Sequence, residues 1–193
     1  GETRFLPFPK LTQDLRDPLV SDVSLSGGFR NTLGAFVEAG LHLPAAPGMR
    51  LGADVGFFTS RGLMFGPAGT YTRGPDGSDM SGYFRSGFIN DHGKRLTDVL
   101  RRPVPSGRGF VEWQHQRQLS DHLSLTAQVN WWKDSEVLRD FRPEEFFRVQ
   151  EPDTFVESTY AGKNYFLSAF ARFQPNSFDT VPERLPEVRF DLL

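Results

Sequence analysis

The residues of this chain best suited to chemistry are four histidines, two adjacent glutamates and a run of cations. The histidines are His42, His92, His115 and His122. None has the HxxxH spacing that sets two imidazoles on one helix face for a metal. A zinc site would have to be assembled across strands. The simpler reading puts His115 on a strand and the others near turns or rims. A serine with His122 and Asp121 would suit a hydrolase, but no GxSxG elbow is present, and Ser and Asp are ordinary turn residues. The pair Glu144-Glu145 invites comparison with a glycosidase's two carboxylates. Neighbours in one helical turn splay apart, so these two read as a solvated loop. The chain has no cysteine, which removes disulfides, thiolate metal sites and a Cys nucleophile. No catalytic residue, metal ligand or cofactor is expected.

Two charged or polar groups remain. The first is the segment 92–106, where Lys94, Arg95, Arg101 and Arg102 oppose a single acid, Asp98. Such a run reads first as solvated surface, with contact to phosphates as the alternative its chemistry allows. The second is a set of polar residues at alternate positions: Glu38, Asp54, Arg85, Glu112, Gln114, Gln116, Gln128 and Asn130. They would line either a polar lumen or a solvated sheet face, and period-two polarity fits both.

The elements carrying these residues follow from periodicity. Hydrophobic residues make up 38% of the chain and aromatics 13%, with 19 Phe, 19 Gly and 14 Pro, a balance that favours short strands and turns over packed helices. The net charge of −2 lacks the basic excess of a nucleic-acid surface, and no nucleic-acid partner is expected. Leu123, Leu125, Ala127, Val129 and Trp131 alternate without a break with Ser124, Thr126, Gln128 and Asn130, the mark of a strand with one dry and one wet face. Similar alternation runs from Leu33 to Leu43, with Leu33 on the dry side, and from Leu51 to Phe58. The pattern predicts ten strands, over 19–28, 32–43, 49–60, 62–73, 79–91, 107–119, 122–134, 152–161, 165–174 and 185–193. Pro67 should mark a bulge or a weakly paired position. A single helical turn is expected over 143–148, where Pro and acids suit a helix N-terminus.

Several strands match the ~9–11 residues that cross a bilayer as tilted strands, whereas no stretch approaches the ~18 apolar residues of a membrane-spanning helix. The long connections 92–106, 135–151 and 175–184 share one end of the sheet, opposite the short ones at 44–48, 74–78, 120–121 and 162–164. Bacterial outer-membrane barrels have this asymmetry. The chain does not begin with Met and shows no signal peptide, so it reads as a mature or internal piece.

The text at 108–141, RGFVEWQHQRQLSDHLSLTAQVNWWKDSEVLRDF, resembles the lipopolysaccharide-assembly outer-membrane protein family (LptD, or organic solvent tolerance protein). There a strand, short turn and second strand lead to a loop with an acidic-Ser stretch and a terminal Asp-Phe, here Asp134-Ser135 and Asp140-Phe141. LPAAPGMRLGADV (43–55) is similar to the family's Ala-Pro turn, Arg61-Gly62 to its Arg-Gly turn, and ERLPEVRFDLL (183–193) to its Leu-Pro strand start. TRFLPFP (3–9) is similar to the Pro-rich exit from its periplasmic jelly-roll. The resemblance implies a barrel with more strands than this chain supplies. It also implies a plug lipoprotein, a periplasmic bridge protein that delivers lipopolysaccharide, and a lateral opening through which that lipid enters the outer leaflet. Two features depart from the family: the chain lacks the cysteines some members use for disulfides, and Pro18 stands only at the start of the first strand.

The expected fold is therefore all-β: an antiparallel up-and-down meander, open and curved by itself, forming part of a large transmembrane barrel. Residues 1–18 would end the jelly-roll and 19–193 would form the barrel strands. The expected location is the bacterial outer membrane, with membrane lipid and lipopolysaccharide as partners. Lys94, Arg95, Arg101 and Arg102 are the candidates for its phosphates. Glu112, Gln114, Gln116, Gln128 and Asn130 are the candidates for a lumen wall. Two other classes stay open: a porin or uptake receptor, and an outer-membrane hydrolase.

Overall fold

The structure is a computed structural model and describes residues 22–94, 97–98, 101–148, 153–178 and 184–192. Ten strands form one antiparallel sheet in which each pairs only with its neighbours in sequence. They are β1 (Asp22–Arg30), β2 (Gly34–Ala46), β3 (Met49–Phe58), β4 (Gly62–Arg73), β5 (Met80–Asn90), β6 (Gly107–Ser120), β7 (Leu123–Trp132), β8 (Thr154–Ala161), β9 (Tyr165–Phe173) and β10 (Arg184–Leu192). The sheet is the expected open meander, with β1 and β10 at its two edges. The expected jelly-roll end at 1–18 lies outside the described residues. So do 19–21, the start expected for the first strand.

One short turn differs from expectation, and Pro67 is the weakly paired position expected. The turn expected at 44–48 narrows to Pro47-Gly48, because Pro44 already pairs with Arg50, and a bulge between Pro44 and Ala46 absorbs the extra residue. Gly48 has φ 72°, which the second central position of a Pro-Gly turn requires. Pro67 keeps the register but weakens the ladder: β4 and β5 pair at Phe65–Phe88 and again at Ala68–Arg85, with no pair recorded between. The Ser86 hydroxyl donates to the Pro67 carbonyl at 2.8 Å across this gap.

Directly paired residues share a face, so the register sorts the strands. One face carries Leu41 opposite Val23, Val37 opposite Phe57, Leu63 opposite Phe57 and Phe65 opposite Phe88. It continues through Val129 opposite Trp113 to Val188, Phe190 and Leu192 on β10. Among the described residues, the exposed large hydrophobics stand on this face, on β1 to β5 and on β9 and β10, apart from Tyr83, Phe147 and the bulge residue Leu119. We call it the uncovered face.

The connection between β7 and β8 covers the other face. It forms two short helices, α1 (Val137–Phe141) and α2 (Pro143–Phe146). The second lies where one turn was expected; the first was not foreseen. The two pack onto aromatic and aliphatic residues at the loop end of the strands. The resulting core comprises Leu33, Phe58, Met64, Ile89, Phe110 and Trp132 from the sheet and Val137, Leu138 and Phe141 from α1. Leu33 was expected on the dry side of its strand. It sits in the tight turn before β2, where its N–H donates to the Arg30 carbonyl at 3.0 Å, and its side chain is fully buried in this core.

Candidate functional site: the polar cavity beneath the folded-in loop

At the loop end of the covered face, inward positions on six adjacent strands are apolar. Phe36 pairs with Phe58, Met64 with Ile89 and Phe110 with Trp132, three facing pairs that step by two residues in register from one hairpin to the next and meet in one core. An apolar ring facing inward needs a cover, and α1 supplies Val137, Leu138 and Phe141. The Phe141 ring stands edge-on to Phe58, 5.1 Å between centroids.

Two ionic clusters fix this cover. In the first, Arg61 from the β3–β4 turn grips Asp91 at the end of β5 with both arms of its fork, at 2.7 and 2.6 Å, and reaches Asp140 of α1 at 3.0 Å. Arg108 of β6 grips Asp134 in the same way, at 2.9 and 2.7 Å, and also bonds Asp91 at 3.0 Å and Asp140 at 2.6 Å. The Arg108 side chain is fully buried. Both guanidinium groups lie over the Phe141 ring, at 5.2 and 5.4 Å. Burial pushes the Asp91 carboxyl up. Hydrogen bonds from Arg61, from the Gly93 N–H and from Arg108 outweigh that and hold it below its ordinary value.

The second cluster holds α2. Glu145 accepts from Arg85 of β5 at 2.7 Å and from Arg142 at 2.9 Å. Arg85 also donates to Asp54 of β3 at 2.9 Å, and Arg142 lies 3.6 Å from the same carboxylate. The Arg142 guanidinium rests on the Phe110 ring at 4.7 Å. The expectation that both glutamates are solvated therefore holds for the exposed Glu144 and fails for Glu145, which is an anchor.

Below the cover lies a cavity of about 570 Å³. Its walls include His42, Asp54, Tyr83, Arg85 and Glu145, with Trp132 and Leu138 at the loop end. Four of the five sequence candidates for a lumen wall, Glu112, Gln114, Gln128 and Asn130, line it together. The fifth, Gln116, lines a smaller cavity of about 200 Å³ with Ser81, Gln118, Ser124 and Thr126, nearer the short turns. Amides, a phenol and both signs of charge make the large cavity a hydrogen-bonding space for a hydrated, hydroxyl-rich ligand.

The cationic run lies in the β5–β6 connection at the same end of the sheet as the cover. Arg102 is bonded to Asp98 at 3.1 Å, within a turn in which the Arg101 N–H donates to the Asp98 carbonyl at 2.9 Å. Lys94 and Arg101 are exposed, and Arg101 adopts φ 60°. Arg95 lies outside the described residues. The histidines do not meet. His42 is 3.9 Å from Asp54 in the cavity wall, His92 is exposed at the loop end, His115 bonds Tyr71 on the uncovered face, and His122 lies in a short turn against Tyr160. Among the described residues no group of three or more His, Asp or Glu is arranged to hold a metal ion.

Sequence reasoning missed Arg61, Arg108, Asp91, Asp134 and Asp140 as a set. It also missed Asn176 in the β9–β10 connection. The side-chain amide of Asn176 accepts from the Trp132 N–H at 2.8 Å and donates to the Asn130 carbonyl at 2.9 Å. It thereby takes a strand's place beside β7 beyond Gln128, the last residue of β7 paired with β8. No protein-family model matches this chain and no curated protein matches it, so its own residues carry the functional reading.

Proposed function

We propose that this chain is a run of strands from a bacterial outer-membrane β-barrel that inserts lipopolysaccharide into the outer leaflet. The observation that carries the reading is the contrast between the faces. Large hydrophobics stay exposed on one face of seven of the ten strands, β1 to β5 and β9 to β10, while ion pairs and a polar cavity occupy the other face. A soluble sheet buries its apolar face, whereas a barrel turns it to lipid and keeps its interior polar. The resemblance described above supplies the cargo. A sugar head group has the hydroxyl chemistry that Gln114, Gln128, Asn130 and Tyr83 suit, and acyl chains would stay in the bilayer. The process is passage, and no residue is assigned a catalytic role. The plug lipoprotein and the periplasmic bridge protein enter as partners through the resemblance alone. Lys94, Arg101 and Arg102 are proposed to meet lipid phosphates at the cell surface.

The test is photo-crosslinking in living cells, with a photoreactive amino acid at Gln128 or Asn130 of the full-length protein. The expected result is an adduct that an anti-lipopolysaccharide antibody detects. No adduct at either position, from a barrel assembled at normal levels, overturns the cargo. The second reading, a solute-passing pore, is favoured by the charged residues on the folded-in segment. It predicts stable single-channel conductance from the purified full-length protein.

A further inference from the structure

We propose that the short-turn rim of the uncovered face holds a binding site for the phosphate of a glycerophospholipid, formed by Arg73 and Arg117. This inference rests on the membrane reading above. It begins with three rows of side chains that the register sets across β4, β5 and β6. Gly69, Phe84 and Trp113 form the first row, Tyr71, Gly82 and His115 the second, and Arg73, Met80 and Arg117 the third. Successive rows are about 7 Å apart along the strands, two residues at roughly 3.4 Å each.

The rows change character in the order a lipid leaflet demands. Phe84 and Trp113 of the first row are apolar or amphipathic, the second row is aromatic and hydrogen-bonded, and the third is cationic. Tyr71 Oη accepts from Trp113 Nε1 at 3.0 Å and shares a 2.8 Å hydrogen bond with His115 Nδ1. His115 lies almost parallel to Trp113, 5.6 Å between centroids. Gly82 makes this contact possible: a Cβ there would collide with the Tyr71 ring, which crosses β5 to reach His115. Aromatic residues with one polar end belong at a membrane–water boundary.

Arg73 and Arg117 stand beyond that boundary, exposed, with Met80 between them. Two strand spacings put their backbones about 10 Å apart, within which both side chains can converge on one anion. Neither arginine makes an ion pair with another described residue. In the turn, the Asp79 carboxylate lies over Gly74 and its backbone carbonyl accepts from the Gln118 N–H. A pair of guanidinium groups just outside an aromatic row matches the depth and charge of a lipid phosphate.

Native mass spectrometry of the full-length protein in detergent tests this. The probes are dihexanoyl phosphatidylglycerol and dihexanoylglycerol, which share chains and differ in the phosphate. Loss of both arginines in R73A/R117A should weaken phosphatidylglycerol binding by about tenfold or more, the equivalent of one charge-assisted hydrogen bond. R73K/R117K should keep most of it. R73Q and R117Q, made singly, serve if the double variant does not fold, and each should weaken binding about threefold. Equal affinity in the wild type and the folded variants overturns the site. So does equal affinity for the two probes. A spin label at Val129→Cys, beside Trp113 on the same face and on the apolar side of the aromatic row, separates this from the reading beneath it. Shielding of the label from a water-soluble nickel chelate in vesicles keeps the membrane reading even where the site fails. A label open to the chelate overturns both.

Discussion

The two ends of the covered face are built on opposite principles. At the loop end Phe58, Phe110 and Trp132 are almost fully buried, and two arginines and three aspartates lock the chain over them. At the short-turn end the same face offers Gln116, Gln118, Ser124 and Thr126 around a shallow polar hollow. The difference teaches where specificity of structure resides. The loop end fixes one arrangement of chain, and the turn end leaves space for water.

The largest expected effect breaks the first of these ends. Arg108→Ala leaves the buried Asp134 carboxylate without its cation and takes from Asp91 and Asp140 one of the two arginines that hold them. It should destabilise the folded-in loop by about 3–5 kcal/mol, as losing one side of a buried ion cluster does. Limited trypsin digestion of the full-length protein reads this as new cleavage after Arg139. Gln116→Ala at the other end should change stability by no more than about 0.5 kcal/mol. Comparable losses from the two variants would erase the contrast.

A second pair of variants sharpens the division between faces. Val129→Arg on the uncovered face should cost about 2–4 kcal/mol near a bilayer midplane, whereas Asn130→Arg should cost far less because its cavity holds water. Reversible unfolding in vesicles measures both, and equal costs would refute the assignment of the uncovered face to lipid.

A third test uses pH. Asp91 has a folded-state pKa below its unfolded value. Its contribution is therefore fully present above the unfolded pKa of about 3.9 and is lost as pH falls through the lower, folded value. Amide exchange at Gly93, whose N–H donates to Asp91 at 2.9 Å, should be unchanged from pH 7 to 5 once the intrinsic rate is removed. Protection should fall only below about pH 4. Loss of protection near pH 6 would show that another group holds the loop.

The smallest effect concerns the cationic turn. Arg101 is the only non-glycine among the described residues with a positive φ. Arg101→Gly should relieve about 1 kcal/mol of backbone strain. Lys94→Glu with Arg101→Glu should raise permeability to large antibiotics if the turn meets lipid phosphates. Unchanged permeability at normal barrel levels would leave the turn as plain surface.

The strands and their connectivity were legible because period-two alternation is local and survives in a single sequence, as from Leu123 to Trp131. The cover was not. Phe36, Phe58, Phe110 and Trp132 each read as an isolated apolar residue on a wet face. Only register shows that Phe36 opposes Phe58 and Phe110 opposes Trp132. That signal was available once the hairpins were drawn. The ion cluster left no comparable trace. Its members come from the β3–β4 turn, β5–β6 and α1, and Arg61 and Asp140 are 79 residues apart. Glu145 looked like loop surface because Arg85, its partner on β5, lies 60 residues away.

That separation has a consequence for assembly. Neighbouring strands meet through hairpins, whose closure involves few residues and little loss of chain freedom. The bond between Arg61 and Asp140 closes a 79-residue span and needs the β3–β4 turn, the β5–β6 ends and α1 already in place. Docking of α1 is therefore a late step in the birth of this sheet. Until it happens, strands β2 to β7 present a hollow, aromatic-rimmed inner wall. Any chaperone that meets the chain before docking meets that unfinished form, with Phe58, Phe110 and Trp132 still bare.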